Sequence, residues 1–395
     1  MDAALQSIRD LVGAHEAELR DLALKIHANP ELGLEERLAC AWHTELLREW
    51  GFEVTTPFAG LETAYKAVAG EGGPVFCFMA EYDALPQMGH GCGHNLIGTA
   101  AVGAGKALAD LLRQEGQPGT VVVMGTPAEE GQGGKVKMLA QDALAGIDAV
   151  MLAHPRWQTT TDTGCNAIVR FRVSFKGRAA HAAASPEQGR NALDGVLLTF
   201  QGINAWRQYL PEECRVHGII DDGGAMANII PEDASCIFYL RAADEATLES
   251  MIERLHAIAE GAALMSGTAA KLEAWGERYQ ARIANGPLNE AWFEATREAG
   301  LNPTIPQRPG RASSDFGDVS QLRPAAHVYF GIANESIPVH SPEFCTAAGQ
   351  ELALERMLQA VEALTVVGHQ YMTDDGFRGR VDEDFRAAKQ AQAAG

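Results

Sequence analysis

The sequence predicts an α/β chain, with a mainly parallel sheet covered by helices on both faces and an inserted α+β satellite of βαββαβ order. Three observations carry this expectation. Short apolar runs alternate with helical patterns over 75–153. Near residue 165 the texture changes to strict apolar–polar alternation, the sign of strands with one wet face. After about 278 the helix–strand alternation resumes.

Taken in order, 4–27 places Leu5, Ile8, Leu11, Leu19, Leu22, Leu24 and Ile26 at helical spacing, and 34–50 reads as a second helix. Val75–Ala80 is a strand, 94–114 an Ala-rich helix, and 120–125 another strand. A helix over 134–144 and a strand over 149–153 follow. In such sheets ligands gather beyond the carboxyl ends of the strands. Asp83, Glu129, Glu130 and His154 are all expected just after strands. Ile168-Val169-Arg170-Phe171-Arg172-Val173-Ser174-Phe175-Lys176 opens the satellite. A helix over 190–208, strands near 215–221 and 234–241, a helix over 244–265 and a strand over 269–275 complete it. A helix over 348–372 comes near the end, and the last twenty residues, being polar, are expected to fray.

A chain of 395 residues exceeds the usual single core. Residues 1–164 and 278–395 are therefore expected to form one discontinuous domain, and 165–277 an inserted satellite. The net charge of −20 argues against nucleic acid or an anionic membrane as partner. An anionic substrate would then need a local cation. Seven cysteines, at 40, 77, 92, 165, 214, 236 and 345, lack framework spacing. They fit reduced thiols in a cytoplasm. The N-terminal residues show no signal-peptide pattern, and no apolar run approaches the ~18 residues of a spanning helix.

The chemistry concentrates in Gly89-His90-Gly91-Cys92-Gly93-His94-Asn95. Cys92 and His94, two apart on an extended turn, leave the backbone on one side and can reach one ion or two neighbours. The bland alternative is a buried thiol beside a histidine, and Asn95 could cap the following helix. The run 98–106 ends in Gly-Lys, but Ala100 and Ala107 break the phosphate-loop pattern. Glu129 and Glu130 point different ways after a strand, so one can bind an ion while the other acts as base. Alternatively they form a solvated pair at a helix start. Asp83 is a candidate to orient a ligand histidine. His154 and His340 are unremarkable singly but share the sheet edge. One Cys, three His and two Glu suit a two-ion hydrolase site. In the satellite, His181 could donate to a developing oxyanion, and Asn228 and Arg241 could hold a carboxylate.

These motifs, in their order, resemble the M20 metallopeptidase family, in particular its amidohydrolase branch. The resemblance runs from Ile26-His27-Ala28-Asn29-Pro30-Glu31-Leu32 with Glu35, through Asp83-Ala84-Leu85-Pro86, the Cys92/His94 turn, the double Glu and His154-Pro155, to Ala180-His181-Ala182. Ser313-Ser314-Asp315-Phe316-Gly317-Asp318-Val319-Ser320 and the His340 loop complete it. It covers about 20–370 and implies a metal-dependent amidohydrolase acting on an N-acyl amino acid or dipeptide-like substrate. By that resemblance Cys92 bridges two divalent ions, zinc being expected and manganese or cobalt possible in its place. His94, Glu130, His154 and His340 complete the ligands, with their division between the ions open. Glu129 becomes the general base, Asp83 the orienting partner, and His181 the oxyanion donor, from the other protomer of a homodimer. Asn228 and Arg241 would bind the substrate carboxylate. Glu81 and Asn95 depart from the Asp found at both places in many amidohydrolases of this branch. They look more like the para-aminobenzoyl-glutamate hydrolases and β-alanyl dipeptidases. Two other readings stay open: hydrolysis of a different C–N bond, such as that of an aromatic amine, and a non-catalytic metal- or ligand-binding homologue.

Overall fold

The computed structural model describes residues 2–306 and 310–394. Ten strands run in chain order: β1 (Glu53–Thr55), β2 (Tyr65–Glu71), β3 (Val75–Ala80), β4 (Gly119–Gly125), β5 (Ala149–Arg156), β6 (Ala167–Lys176), β7 (Arg215–Asp222), β8 (Asp233–Ala242), β9 (Ala269–Ala274) and β10 (Ala325–Gly331). The chain divides into two compact units. One comprises Met1–Gly164, Arg282–Pro309 and Asp315–Gly395, the other Cys165–Ala281 and Gly310–Ser314.

The first unit holds a six-stranded sheet of order β1-β2-β4-β3-β5-β10. Pairs β4–β3, β3–β5 and β5–β10 are parallel, whereas β1–β2 and β2–β4 are antiparallel. The antiparallel edge was not foreseen, because β1 has only three residues and β2 carries Lys66 and Gly70 and ends in Glu71. Alternate residues of the central strands feed two cores. Phe76, Phe78, Val121, Val123 and Met151 pack with the helices His94–Glu115 and Glu351–Thr373. Cys77, Met79, Val122, Met124 and Val150 pack on the opposite face with Met138 and Phe316. A sheet buried on both faces needs near-continuous apolar strands, which β3, β4 and β5 supply. The chain passes from β3 to β4 on one side and returns to β5 on the other. The strand order therefore reverses at β3, and a crevice opens at its carboxyl end.

The glycines of 98–106 lie inside the helix His94–Glu115. A Cβ on Gly105 would stand 2.2 Å from Val123 Cγ2, so these residues let helix and sheet approach closely. Asn95 does not cap that helix; its amide donates to Ala23 O at 3.3 Å and Ala348 O at 3.1 Å. The single helix expected over 4–27 is two, Asp2–Ala14 and Glu16–Ala28, broken at His15. The helix expected over 134–144 stops at Leu139, and β5 runs on to Arg156, so His154 lies within the strand.

The C-terminal residues do not fray. Asp375–Ala394 is a helix that buries Phe377 and Val381. Asn285 Nδ2 donates to Val381 O at 2.9 Å, and Gly286 N to Asp384 Oδ2 at 3.0 Å. Two buried apolar residues one turn apart anchor this polar segment.

The second unit is a four-stranded antiparallel sheet, β7-β8-β6-β9, with helices Ala192–Trp206 and Glu245–Ser266. Its core gathers Val173, Phe175, Val196, Phe238, Leu240, Leu248 and Leu255. Strand β7 is an edge whose Ile219 and Ile220 are exposed.

Candidate metal centre

The centre is built at the carboxyl ends of β3, β4 and β5. Beyond β3, Asp83 is fully buried, and the chain returns through the turn at Gly93. Gly93 adopts φ +79°, and a Cβ there would stand 2.5 Å from Pro155 Cγ, so glycine is required. This turn sets Cys92 and His94 at the mouth of the helix. Beyond β4, Ala128 also takes a left-handed conformation, φ +63°. Glu130 and Gly131 leave helical geometry in the short turn Glu129–Gln132. The two glutamates are therefore not a pair at the start of a regular helix.

Ligand atoms of Cys92, His94 and His154 lie within 4.8 Å of one another, as do those of Cys92, Glu130 and His340, and those of His94, Glu129 and Glu130. Cys92 Sγ is 3.3 Å from His154 Nε2, and His340 Nε2 is 3.1 Å from Glu130 Oε1. His340 itself has φ +59° and donates its backbone N–H to Gly91 O at 2.8 Å.

The surrounding hydrogen bonds aim these atoms. Asp83 Oδ1 accepts from His94 Nδ1 at 2.9 Å, and its Oδ2 from the backbone N–H of Glu130 at 2.9 Å. Burial pushes the Asp83 carboxyl up, but the charge and hydrogen bond of His94 outweigh it and hold the group below its ordinary range. His94 Nε2 is left buried without a hydrogen-bond partner. His154 Nδ1 donates to Pro155 O at 2.7 Å, which turns the lone pair of Nε2 toward Cys92. Burial, then the charge of His94, lowers the His154 pKa well below that of a free imidazole. Burial, then Glu130, raises that of the Cys92 thiol. A soft sulfur, a carboxylate and three imidazole nitrogens, one of them buried without a hydrogen bond, fit a pair of transition-metal ions, with outer carboxylate and carbonyl partners of the usual kind. Burial first, then Glu130 and Glu81, pushes the Glu129 carboxyl up, the direction expected for a base held near neutral pH.

Several buried groups around the centre were not singled out from sequence. Glu36 is buried, whereas Glu35 is exposed. Its Oε1 accepts from Ala128 N at 2.7 Å and its Oε2 from Thr63 Oγ1 at 3.0 Å. Lys135 Nζ lies 2.6 Å from Glu81 Oε1 and 2.7 Å from Asp315 Oδ1, all three side chains being almost fully buried. Glu81 Oε2 is 3.7 Å from His94 Nε2. His327 stacks on His154 with centroids 5.4 Å apart. The alternation of β10 could have placed His327 beside His154, whereas nothing in the pattern near Lys135 marks it as buried.

In the second unit His181 is exposed. Its Nδ1 accepts from Ala183 N at 3.2 Å and Ala184 N at 3.1 Å, so the tautomer carries its proton on Nε2. Ala182 N donates to Asn228 O at 2.9 Å, which sets His181 and Asn228 on adjoining backbone. Arg241 is placed elsewhere, on β8, where Nη1 donates to Ser313 Oγ at 2.8 Å. Burial, then Arg170, lowers its pKa.

A mainly parallel sheet with a cluster of candidate metal ligands at its switch point is the arrangement of a metal-dependent hydrolase. Residues 77–365 match the model of Peptidase family M20/M25/M40. The chain is 32% identical over 390 residues to the Xaa-Arg dipeptidase of Mus musculus, covering 94% of this chain and 89% of that protein. It is 34% identical over 319 residues to one of the two p-aminobenzoyl-glutamate hydrolase polypeptides of Escherichia coli K12, covering 76% and 66%. The crystal structure of the Bacillus subtilis YXEP protein, a dinuclear metal binding peptidase from the M20 family, shares the fold. Its TM-score is 0.68 at 22% identity, over 91% of this chain and 99% of that one. The chain belongs to the M20 family, and its activity is metal-dependent hydrolysis of an amide C–N bond in a small molecule, with divalent ions as cofactors.

Proposed function

We propose that the chain hydrolyses the amide of an N-acyl amino acid or dipeptide at the cluster of Cys92, His94, Glu130, His154 and His340, with Glu129 as general base. The observation that carries this reading is the clustering of those five side chains, with Glu129, in three overlapping sets of ligand atoms, one of them the buried His94 Nε2 that makes no hydrogen bond. When bound, two divalent ions would polarise the scissile carbonyl and make water nucleophilic near neutral pH. Zinc fits best, since a thiolate and imidazoles select it over magnesium. Asp83 holds His94 in the tautomer that presents Nε2. Glu129 takes a proton from the attacking water and returns it to the leaving amine. His181 donates Nε2–H to the oxygen that becomes negative, and the substrate carboxylate is held by Asn228 of the same protomer as that His181 and by Arg241, at the far end of β8, of the other. Two relatives, the Xaa-Arg dipeptidase and the p-aminobenzoyl-glutamate hydrolase, bear names that support this substrate class.

The same reading includes a homodimer formed through the second unit, Cys165–Ala281 with Gly310–Ser314. It is supported by the exposed apolar edge of β7 with Met226 and Ile229 close by in sequence. A cytoplasmic location is supported by seven free thiols. No helix among the described residues is long and apolar enough to cross a membrane.

Glu129→Gln tests the assignment. Ion content stays at wild-type level while kcat falls by about 10²–10⁴-fold. Turnover near the wild-type rate would contradict the role of the base.

A further inference from the structure

Arg156 ends β5, two residues beyond His154, so both side chains leave the sheet on the same face. The paired strand puts Tyr329 opposite His154. The Arg156 guanidinium carbon lies 3.7 Å from the centroid of the Tyr329 ring, and that ring lies 5.9 Å from His154, centroid to centroid. Arg282 Nη2 donates to the Tyr329 hydroxyl at 2.9 Å, which fixes the platform. Stacking occupies the flat face of a guanidinium and leaves its in-plane N–H donors at the rim. Among the described residues, those donors meet no carboxylate, carbonyl or hydroxyl.

The other cations of this region are already engaged. Lys135 is held by Glu81 and Asp315, and Arg282 by Asp162, Gly164 O and Tyr329. On a chain of net charge −20, an anion meets long-range repulsion, and only a local, half-buried cation can receive it. Arg156 is half-buried, pre-oriented on a fixed ring, and on the face that presents His154.

We propose that Arg156 is an anion-binding subsite of the metal centre that recognises a second carboxylate on the substrate, the side-chain carboxylate of an acidic amino acid. This rests on the amidohydrolase reading and names its substrate class: N-acyl glutamate or aspartate is favoured over the uncharged glutamine or asparagine conjugate and over basic residues. Arg156 acts in binding, and the chemical step is left to Glu129.

The test measures kcat/KM of the metal-loaded full chain on N-acetyl- and N-benzoyl-glutamate, with the matched glutamine and lysine conjugates. Wild type prefers glutamate by at least about tenfold, the effect of a charge-assisted contact. Arg156→Gln loses about ten- to a hundredfold on the glutamate substrate, mainly in KM, and changes little on the glutamine one. Arg156→Glu shifts preference toward lysine. Equal rates on glutamate and glutamine in wild type overturn the subsite without reference to any variant's folding. Equal losses on both substrates in a folded Arg156→Gln enzyme with full metal content overturn it too. Failure to cleave any conjugate in a broad amide panel would overturn the amidohydrolase reading, and the subsite with it.

Discussion

At the residue scale, the buried charges explain how the loop that carries Glu129 and Glu130 is held. Glu36 fixes Ala128 in its left-handed conformation, one residue before Glu129. Burial, then the charge of Asp83, pushes the Glu36 carboxyl up to about 7. A carboxyl raised on folding binds more protons folded than unfolded between its unfolded value, about 4.3, and 7. Its contribution is therefore complete below the unfolded value and is lost as pH rises through 7. Glu36→Gln should flatten the decline of thermal midpoint between about pH 4.5 and 7 relative to wild type; an unchanged slope would contradict the assignment. Lys135 balances two buried carboxylates. Lys135→Met leaves Glu81 and Asp315 uncompensated and should cost about 3–5 kcal/mol in denaturant unfolding, whereas a loss under 1 kcal/mol would show that the charges find solvent.

At the element scale, the site exists because β3 lies between β4 and β5, so three strand ends deliver side chains to one crevice. Close approach of the helix His94–Glu115 to that sheet is a precondition. Gly105→Ala, placing a Cβ 2.2 Å from Val123, should lower stability by about 1–3 kcal/mol through overpacking, measured by urea titration. The parallel strands and the Cys92/His94 turn were legible because apolar runs and a Gly-rich turn carry their own signals. The β1–β2 edge and the C-terminal helix were not: β1 is three residues long, and the helix is held by Phe377 and Val381 within a polar segment. Lys135 and Glu36 were invisible for a related reason. A charge reads as exposed in a sequence unless its buried partners, 180 residues away for Lys135 and Asp315, are known.

At the scale of the whole molecule, the proposed dimer predicts complementation. Chains carrying His181→Ala and Glu129→Gln, each inactive alone, should regain part of the wild-type rate when mixed into hybrid dimers. Demonstrated heterodimers without recovery would remove His181 from the partner's reaction. Among the candidate ligands of the first unit, Cys92, His94 and Glu130 were within reach of sequence because they lie in compact motifs, and His154 and His340 only through the sheet edge they share, whereas the separation of Arg241 from the His181–Asn228 pair depends on how strands β6 to β8 register. The account as a whole depends on two divalent ions held around Cys92. Anomalous diffraction from crystals of the metal-loaded protein measures this directly. The account predicts two peaks flanking Cys92 Sγ, ligated among His94, Glu130, His154 and His340; a single peak, or density remote from Cys92, would contradict it.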